Sequence, residues 1–329
     1  MDLFTHVLIG YLLAFGLVGD QTNYLVAGAI AGGLPDADVL FFPIARRFPL
    51  MRHHGITHSI LGVTIIAAVG GLVLAPLIAP GNPLLYFAVM LLAGLGHMFS
   101  DGFTHYSVPP LLPFSERKLE LDADRAVNLV TLGVSVTSIW VMLSVERGHA
   151  PYWVFQATVY GLMAFFAAYF IARLAARFYI GRQIKSLPFR IPVPTANPFT
   201  WLVLAEERAA GRFRTTFARY SIGRGISQGP FSVDVPIDPA PATGPVRTAK
   251  EALERSYALA RKVRGFFEDT YHFGEAREAG AGGWFAWWYS LEYSLMGRAA
   301  AVKVWIRPDG TTSVHRAWYA PRWPAAQPR

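Results

Sequence analysis

Histidine and aspartate recur where this chain is greasiest. The stretches His53-His54-Gly55-Ile56-Thr57-His58-Ser59 and Gly96-His97-Met98-Phe99-Ser100-Asp101-Gly102-Phe103-Thr104-His105 abut or interrupt apolar runs long enough to cross a bilayer. Six of the nine histidines fall in the first 105 residues, with Asp36, Asp38 and Asp101 near them in sequence. Imidazole and carboxylate at the edge of hydrocarbon are costly unless something compensates them. A bound transition metal does so, because it takes up lone pairs and supplies positive charge.

His97 and Asp101 are four residues apart, so on a helix they share a face and reach one ion. An ionised Asp within a span costs about 2.5–3.5 kcal/mol on insertion scales, which disfavours chance placement. His105, four residues further on, stays open between ligation and helix-end polarity. Gly55 permits a sharp turn and Thr57 can cap the helix that follows, which returns His53 or His54 toward His58. Leu34-Pro35-Asp36-Ala37-Asp38 reads first as a helix stop. Beside histidines its carboxylates become two ligands, or one ligand and one general base. His6 by itself is open between packing and ligation.

The elements that must position these residues are membrane helices. Apolar runs lie at about 3–18, 24–35, 58–80, 83–105, 126–143 and 151–173, and a span needs roughly 20 residues. The second run is short and rich in Gly and Ala, open between a short span and a re-entrant segment. Connections near 43–57, 106–125 and 173–190 hold three, three and five Lys/Arg, whereas those at 19–23, 80–83 and 144–150 hold none, none and one. The positive-inside bias puts the first set in the cytoplasm. The expectation is about six spans with both termini inside. In that topology His6, Asp36, Asp38, His58, His97, Asp101 and His105 all fall at the cytoplasmic ends of spans.

Composition agrees. The chain is 53% hydrophobic and 16% charged, too apolar for an average soluble protein. Residues 1–181 carry nine Lys/Arg and ten Asp/Glu, and residues 182–329 carry 21 and 12. The expected division is a membrane domain over 1–181 and a small basic cytoplasmic α+β domain over 182–329. There is no cysteine, which excludes disulfides and thiolate metal sites. The first residues lack a basic segment, so no removable signal peptide is expected. After Arg182, Pro188, Pro192, Pro194 and Pro198 mark a linker or an extended segment. Strands are expected near 200–205, 212–220 and 229–235, an amphipathic helix over Thr248–Phe267, and a hairpin turning at Arg307-Pro308-Asp309-Gly310. Residues 116–124 read as a solvated loop. Trp284, Trp287 and Trp288 fit a β-core better than a base-stacking surface.

Taken in order, Thr5-His6, Pro35-Asp36-Ala37-Asp38, His53-x-Gly55-x-Thr57-His58-Ser59, His97-x-x-x-Asp101-x-x-Thr104 and Leu112-Pro113-Phe114 resemble the LexA-regulated, membrane-bound metal-dependent hydrolases, the YdjM-like proteins. The resemblance covers about residues 1–130, and Asn197-Pro198-Phe199-x-Trp201 is similar to the tail of longer members. That family is grouped with zinc-dependent phospholipases C and single-strand nucleases. The resemblance therefore implies a helical hydrolase of phosphoesters, with His54 standing where the motif's Arg is expected. On this reading His6, Asp36, Asp38, His53, His58, His97 and Asp101 hold one or two divalent ions, expected to be zinc. Asp38 or His54 is the base or proton shuttle. The implied setting is the bacterial inner membrane and the substrate an amphiphile such as a phospholipid. The basic C-terminal domain would attract an anionic partner. Two rivals remain at this level: a di-iron membrane oxygenase, and a transporter or scaffold with a structural metal.

Overall fold

The computed structural model describes residues 1–41, 54–105, 107–125, 127–195, 197–239, 245–263, 271–295 and 298–321. The chain forms two compact units, Met1–Ala175 and Ala176–Arg329, and passes from one to the other within a single long helix.

The first unit is helical. Asp2 caps α1 (Leu3–Val18) by accepting from Thr5 N, and α2 (Thr22–Gly33) returns antiparallel to it. A 3-10 segment, Leu34–Phe41, then carries Asp36 and Asp38. A shorter one, Ile56–His58, leads into α3 (Ile60–Ile78), which contains a π-helical stretch at Ala68–Leu74. Asn82 caps α4 (Pro83–Phe103), with Pro83 preset for the first turn. Asn128 caps α5 (Leu129–Glu146), and α6 (Tyr152–Gln183) follows.

Among the described residues, four helices are long and apolar enough to cross a membrane: α3, α4, α5 and the segment Tyr152–Ser186 built on α6. The expectation of about six spans is corrected. α1 has sixteen residues and α2 twelve, about 24 and 18 Å of helix, against a hydrocarbon core of about 30 Å. The four long helices point apolar side chains outward, among them Ile78, Leu84, Trp140 and Ile171.

α1, α2 and α4 pack through small residues. A Cβ on Gly10 would lie 2.3 Å from Gly28 O, and one on Gly32 would lie 2.4 Å from His6 O. Only glycine allows backbones this close, the usual device of helix pairs in lipid.

The segment after α4 is not the solvated loop expected. Glu116–Lys118 are exposed, but Asp122, Ala123 and Asp124 are buried against the end of α4. Ala123 N donates to Phe103 O at 3.0 Å. Asp124 accepts from Asn128 Nδ2 at 3.0 Å and from the Tyr169 hydroxyl, and it pairs with Arg173 at 3.0 Å. A buried charge needs such partners.

The second unit holds two antiparallel four-stranded meanders. The first is β1 (Ile191–Pro194), β2 (Thr200–Ala209), β3 (Arg212–Ser221) and β4 (Gly225–Pro236); the second is β5 (His272–Ala279), β6 (Gly283–Leu295), β7 (Arg298–Ile306) and β8 (Thr312–Tyr319). The expected amphipathic helix is α7 (Ala249–Ala260), capped by Thr248, whereas residues 264–267 lie outside the described residues. Its Tyr257 packs with Phe213, Trp288 and Val302 in one core. Trp284 packs against that core and Trp287 against another, formed by Leu204, Phe217 and Tyr289.

Candidate metal centre

Three histidines meet at the ends of α1, α3 and α4. His6 stands in the first turns of α1, His58 closes the 3-10 turn before α3, and His97 lies near the end of α4; each is buried. Each has its Nδ1 committed elsewhere. His97 Nδ1–H donates to Gly32 O at 2.7 Å. Ser100 Oγ donates to His97 O and so accepts from His6 Nδ1–H at 3.0 Å. Thr57 Oγ1 donates to Asp38 Oδ2 at 2.8 Å and accepts from His58 Nδ1–H at 3.1 Å, with Asp38 Oδ2 itself 3.3 Å from that nitrogen. In the neutral rings these bonds select the tautomer with its lone pair on Nε2, the form that ligates a cation.

The three Nε2 atoms face one small volume together with two carboxylates. His97 Nε2 is 3.1 Å from His58 Nε2. Asp101 Oδ1 lies 3.0 Å from His6 Nε2, and Asp101 Oδ2 lies 3.3 and 3.4 Å from Nε2 of His97 and His58. Asp36 Oδ1 is 3.6 Å from Nε2 of both His58 and His97, and Asp36 Oδ2 is 4.0 Å from His6. Tetrahedral ligands about 2.0–2.1 Å from one zinc ion stand roughly 3.3 Å apart, so the spacing fits. Asp101 Oδ2 is buried without a hydrogen-bond partner, an arrangement that a cation would satisfy. The Met1 α-amino group is also buried against Asp101 Oδ1.

The donor atoms fall into two groups that share Asp101: His6, Asp36, His97 and Asp101, and His54, His58 and Asp101. His54 Nε2 is 3.7 Å from Asp101 Oδ2, its side chain slightly exposed and its backbone left-handed at φ 59°. Electrostatics outside the spans agree with a cation site. Burial works against a charge on His58, but Asp101, Asp36 and Asp38 outweigh it and raise its pKa to about 10. Burial also pushes Asp36 upward, yet His58, His97 and His6 bring it below the usual carboxylate range.

Of the residues singled out in the sequence, His6, Asp36, His54, His58, His97 and Asp101 are brought together. Asp38 sits behind His58 rather than among the converging atoms. His53 lies outside the described residues. His105 belongs to a separate group, with Nδ1 2.6 Å from Asp122 and 3.1 Å from Glu120. Sequence reasoning did not find the orienting groups Ser100, Thr57 and Gly32 O. For Ser100 a signal existed, since it lies three residues after His97 on the same helix face. For a backbone carbonyl there was none.

A helical membrane unit carrying a buried His/Asp cluster able to hold metal defines the class: a multi-pass membrane protein with a candidate metal centre at one end of its helices. The model of the YdjM inner membrane protein family matches residues 1–183, and the chain belongs to that family. Neither the curated proteins nor the solved structures contain a match.

Proposed function

We propose that this protein is a metal-dependent hydrolase of the inner membrane, acting on a phosphoester of an amphiphilic substrate at the cytoplasmic face. The observation that carries the reading is the convergence of three Nε2 atoms on the carboxylates of Asp36 and Asp101, with Asp101 Oδ2 buried and without a hydrogen-bond partner. His6, His58, His97, Asp36 and Asp101 would hold the ion, and the sharing of Asp101 between two donor groups suits a second ion alongside. A divalent ion in this setting supplies a bound water of lowered pKa and polarises a phosphoryl oxygen.

The chain's own groups have distinct tasks. Asp38 and Thr57 hold the His58 ring, as outer carboxylates and hydroxyls do for metal-bound histidines. Asp36, one-fifth exposed, is the least buried of the five residues that would hold the ion and would meet an entering phosphoryl group first. His54, at the rim 3.7 Å from Asp101 Oδ2, would move a proton to or from the attacking water or the leaving group. His54 stands where the resemblance implies an Arg, so an imidazole able to give up a proton would take the place of a guanidinium that keeps it. The cluster stands at the ends of membrane helices, which suits a substrate whose head is polar and whose body stays in lipid. The basic region after Arg182 adds attraction for anionic headgroups.

The test is metal content with turnover. The purified protein is expected to carry one or two divalent ions, to lose them in His97→Ala and Asp101→Ala, and to hydrolyse a phosphoester in a panel of phospholipids and lipid-linked phosphates. A protein without bound metal whose stability is unchanged in chelator would refute the reading. Bound iron with an oxygen requirement would replace hydrolysis by oxidation.

A further inference from the structure

A cavity of about 380 Å³ runs along α1 from Val7 and Leu8 to Asp20, between α1, α2, α5 and the start of α6. Leu25, Val26 and Ala29 of α2 and Ile139 and Met142 of α5 give it apolar walls. Its mouth is different. Asp20 and Glu146, both exposed, stand there with Tyr152, whose hydroxyl donates to Asp20 Oδ2 at 2.5 Å. Tyr152 stacks on Phe155 with ring centroids 5.5 Å apart, so aromatic faces border the carboxylates. Among the described residues, no Lys, Arg or His forms an ion pair with either acid. The mouth is remote from the His/Asp cluster, since Asp20 lies just past the end of α1, a helix about 24 Å long, and His6 lies in its first turns.

We propose that this cavity binds a hydrocarbon chain carrying an ammonium head, the chain between α2 and α5 and the head between Asp20 and Glu146. A largely apolar pocket with a few placed polar groups is the usual form of a small-ligand site. Two carboxylates without a cationic partner among the described residues repel a head of net negative charge and attract one that ends in an ammonium group. The rings of Tyr152 and Phe155 add cation–π attraction in the same place. An aminophospholipid of the leaflet opposite the metal centre and a free alkylammonium amphiphile share this chemistry. The inference does not depend on the hydrolase reading.

The full chain in neutral maltoside micelles is given dodecyltrimethylammonium, dodecyl sulfate, phosphatidylethanolamine and phosphatidylglycerol in turn, and adducts are counted by native mass spectrometry. An ammonium-headed probe is expected to bind about tenfold more tightly than its anionic counterpart. The combined Asp20→Asn and Glu146→Gln substitution removes that preference, Asp20→Glu keeps it, and Ala29→Phe, which fills the cavity, abolishes the adducts. Retention of phosphatidylethanolamine alone identifies a membrane lipid as the source, and retention of the short ammonium alone identifies a soluble amphiphile. Equal binding of cationic and anionic heads, or a preference that survives loss of both carboxylates, overturns the proposal.

Discussion

His58 shows how much one side chain's surroundings decide. Its Nδ1 is held by Thr57 and Asp38 while its Nε2 faces Asp36 and Asp101. Without a metal, the carboxylates make a proton the available cation, and the pKa rises from the usual 6.5 to about 10. A group whose folded pKa is raised stabilises the fold fully below its unfolded value, and that stability fades as pH climbs through the folded one. Chelator-treated protein is therefore expected to unfold at lower temperature as pH rises from about 6.5 toward 10. Metal-loaded protein should be spared that loss, because the ion replaces the proton. Thermal melts across pH, with and without chelator, measure the difference. The chemical types of these residues were legible in the sequence. Their division into inner and outer groups was not, since Asp36 and Asp38 differ only in which way a 3-10 turn aims them.

The α1–α2 hairpin binds packing to chemistry at the level of elements. Gly32 lets the two helices touch, and its carbonyl is also the acceptor that orients His97. Gly32→Ala puts a methyl 2.4 Å from His6 O, so it is expected to cost about 1–3 kcal/mol by overpacking. It should weaken metal binding at the same time, which a neutral packing site would not do; melting temperature and metal titration read the two effects. The Asp124 network ties α6 to the segment after α4. Asp124→Ala takes the carboxylate from the buried Arg173, which keeps its bond to Ala123 O, and up to roughly 3–5 kcal/mol is the expected loss for a broken buried pair. Asp124→Asn, which keeps the shape and some hydrogen bonds, should cost less in the same melts. The small-residue run of α2 was visible beforehand as a packing surface. The buried end of the 116–124 segment was not, because alternating charge reads as solvated until a partner appears on a helix some fifty residues away.

Across the whole molecule, the open quantity is orientation. Loop charges favour both termini in the cytoplasm, and a chain without cysteine makes that directly measurable. A single cysteine at Lys250, an exposed position on α7, is expected to react with an impermeant maleimide only after the inner membrane is opened. One at His149, between α5 and α6, should react from outside. The reverse pattern would place the metal centre on the other face and remove the cytoplasmic substrates from consideration. Counting spans from apolar runs failed because α1, though apolar, and the Gly/Ala-rich α2 are too short to cross the bilayer, and they pack instead on one another and on α4.

By itself the sequence determined solvent and chemistry: which stretches belong in lipid, where basic charge concentrates, and which His and Asp types stand ready for a metal. Hydropathy and ligand type are properties of single residues and short runs, so they survive without a fold. Tertiary structure alone decided that six of these residues, drawn from positions 6 to 101, share one volume, and that Asp38, Thr57, Ser100 and a backbone carbonyl aim them. Aim depends on where chain segments distant in sequence come to rest, and contacts of that kind exist only once the helices have packed.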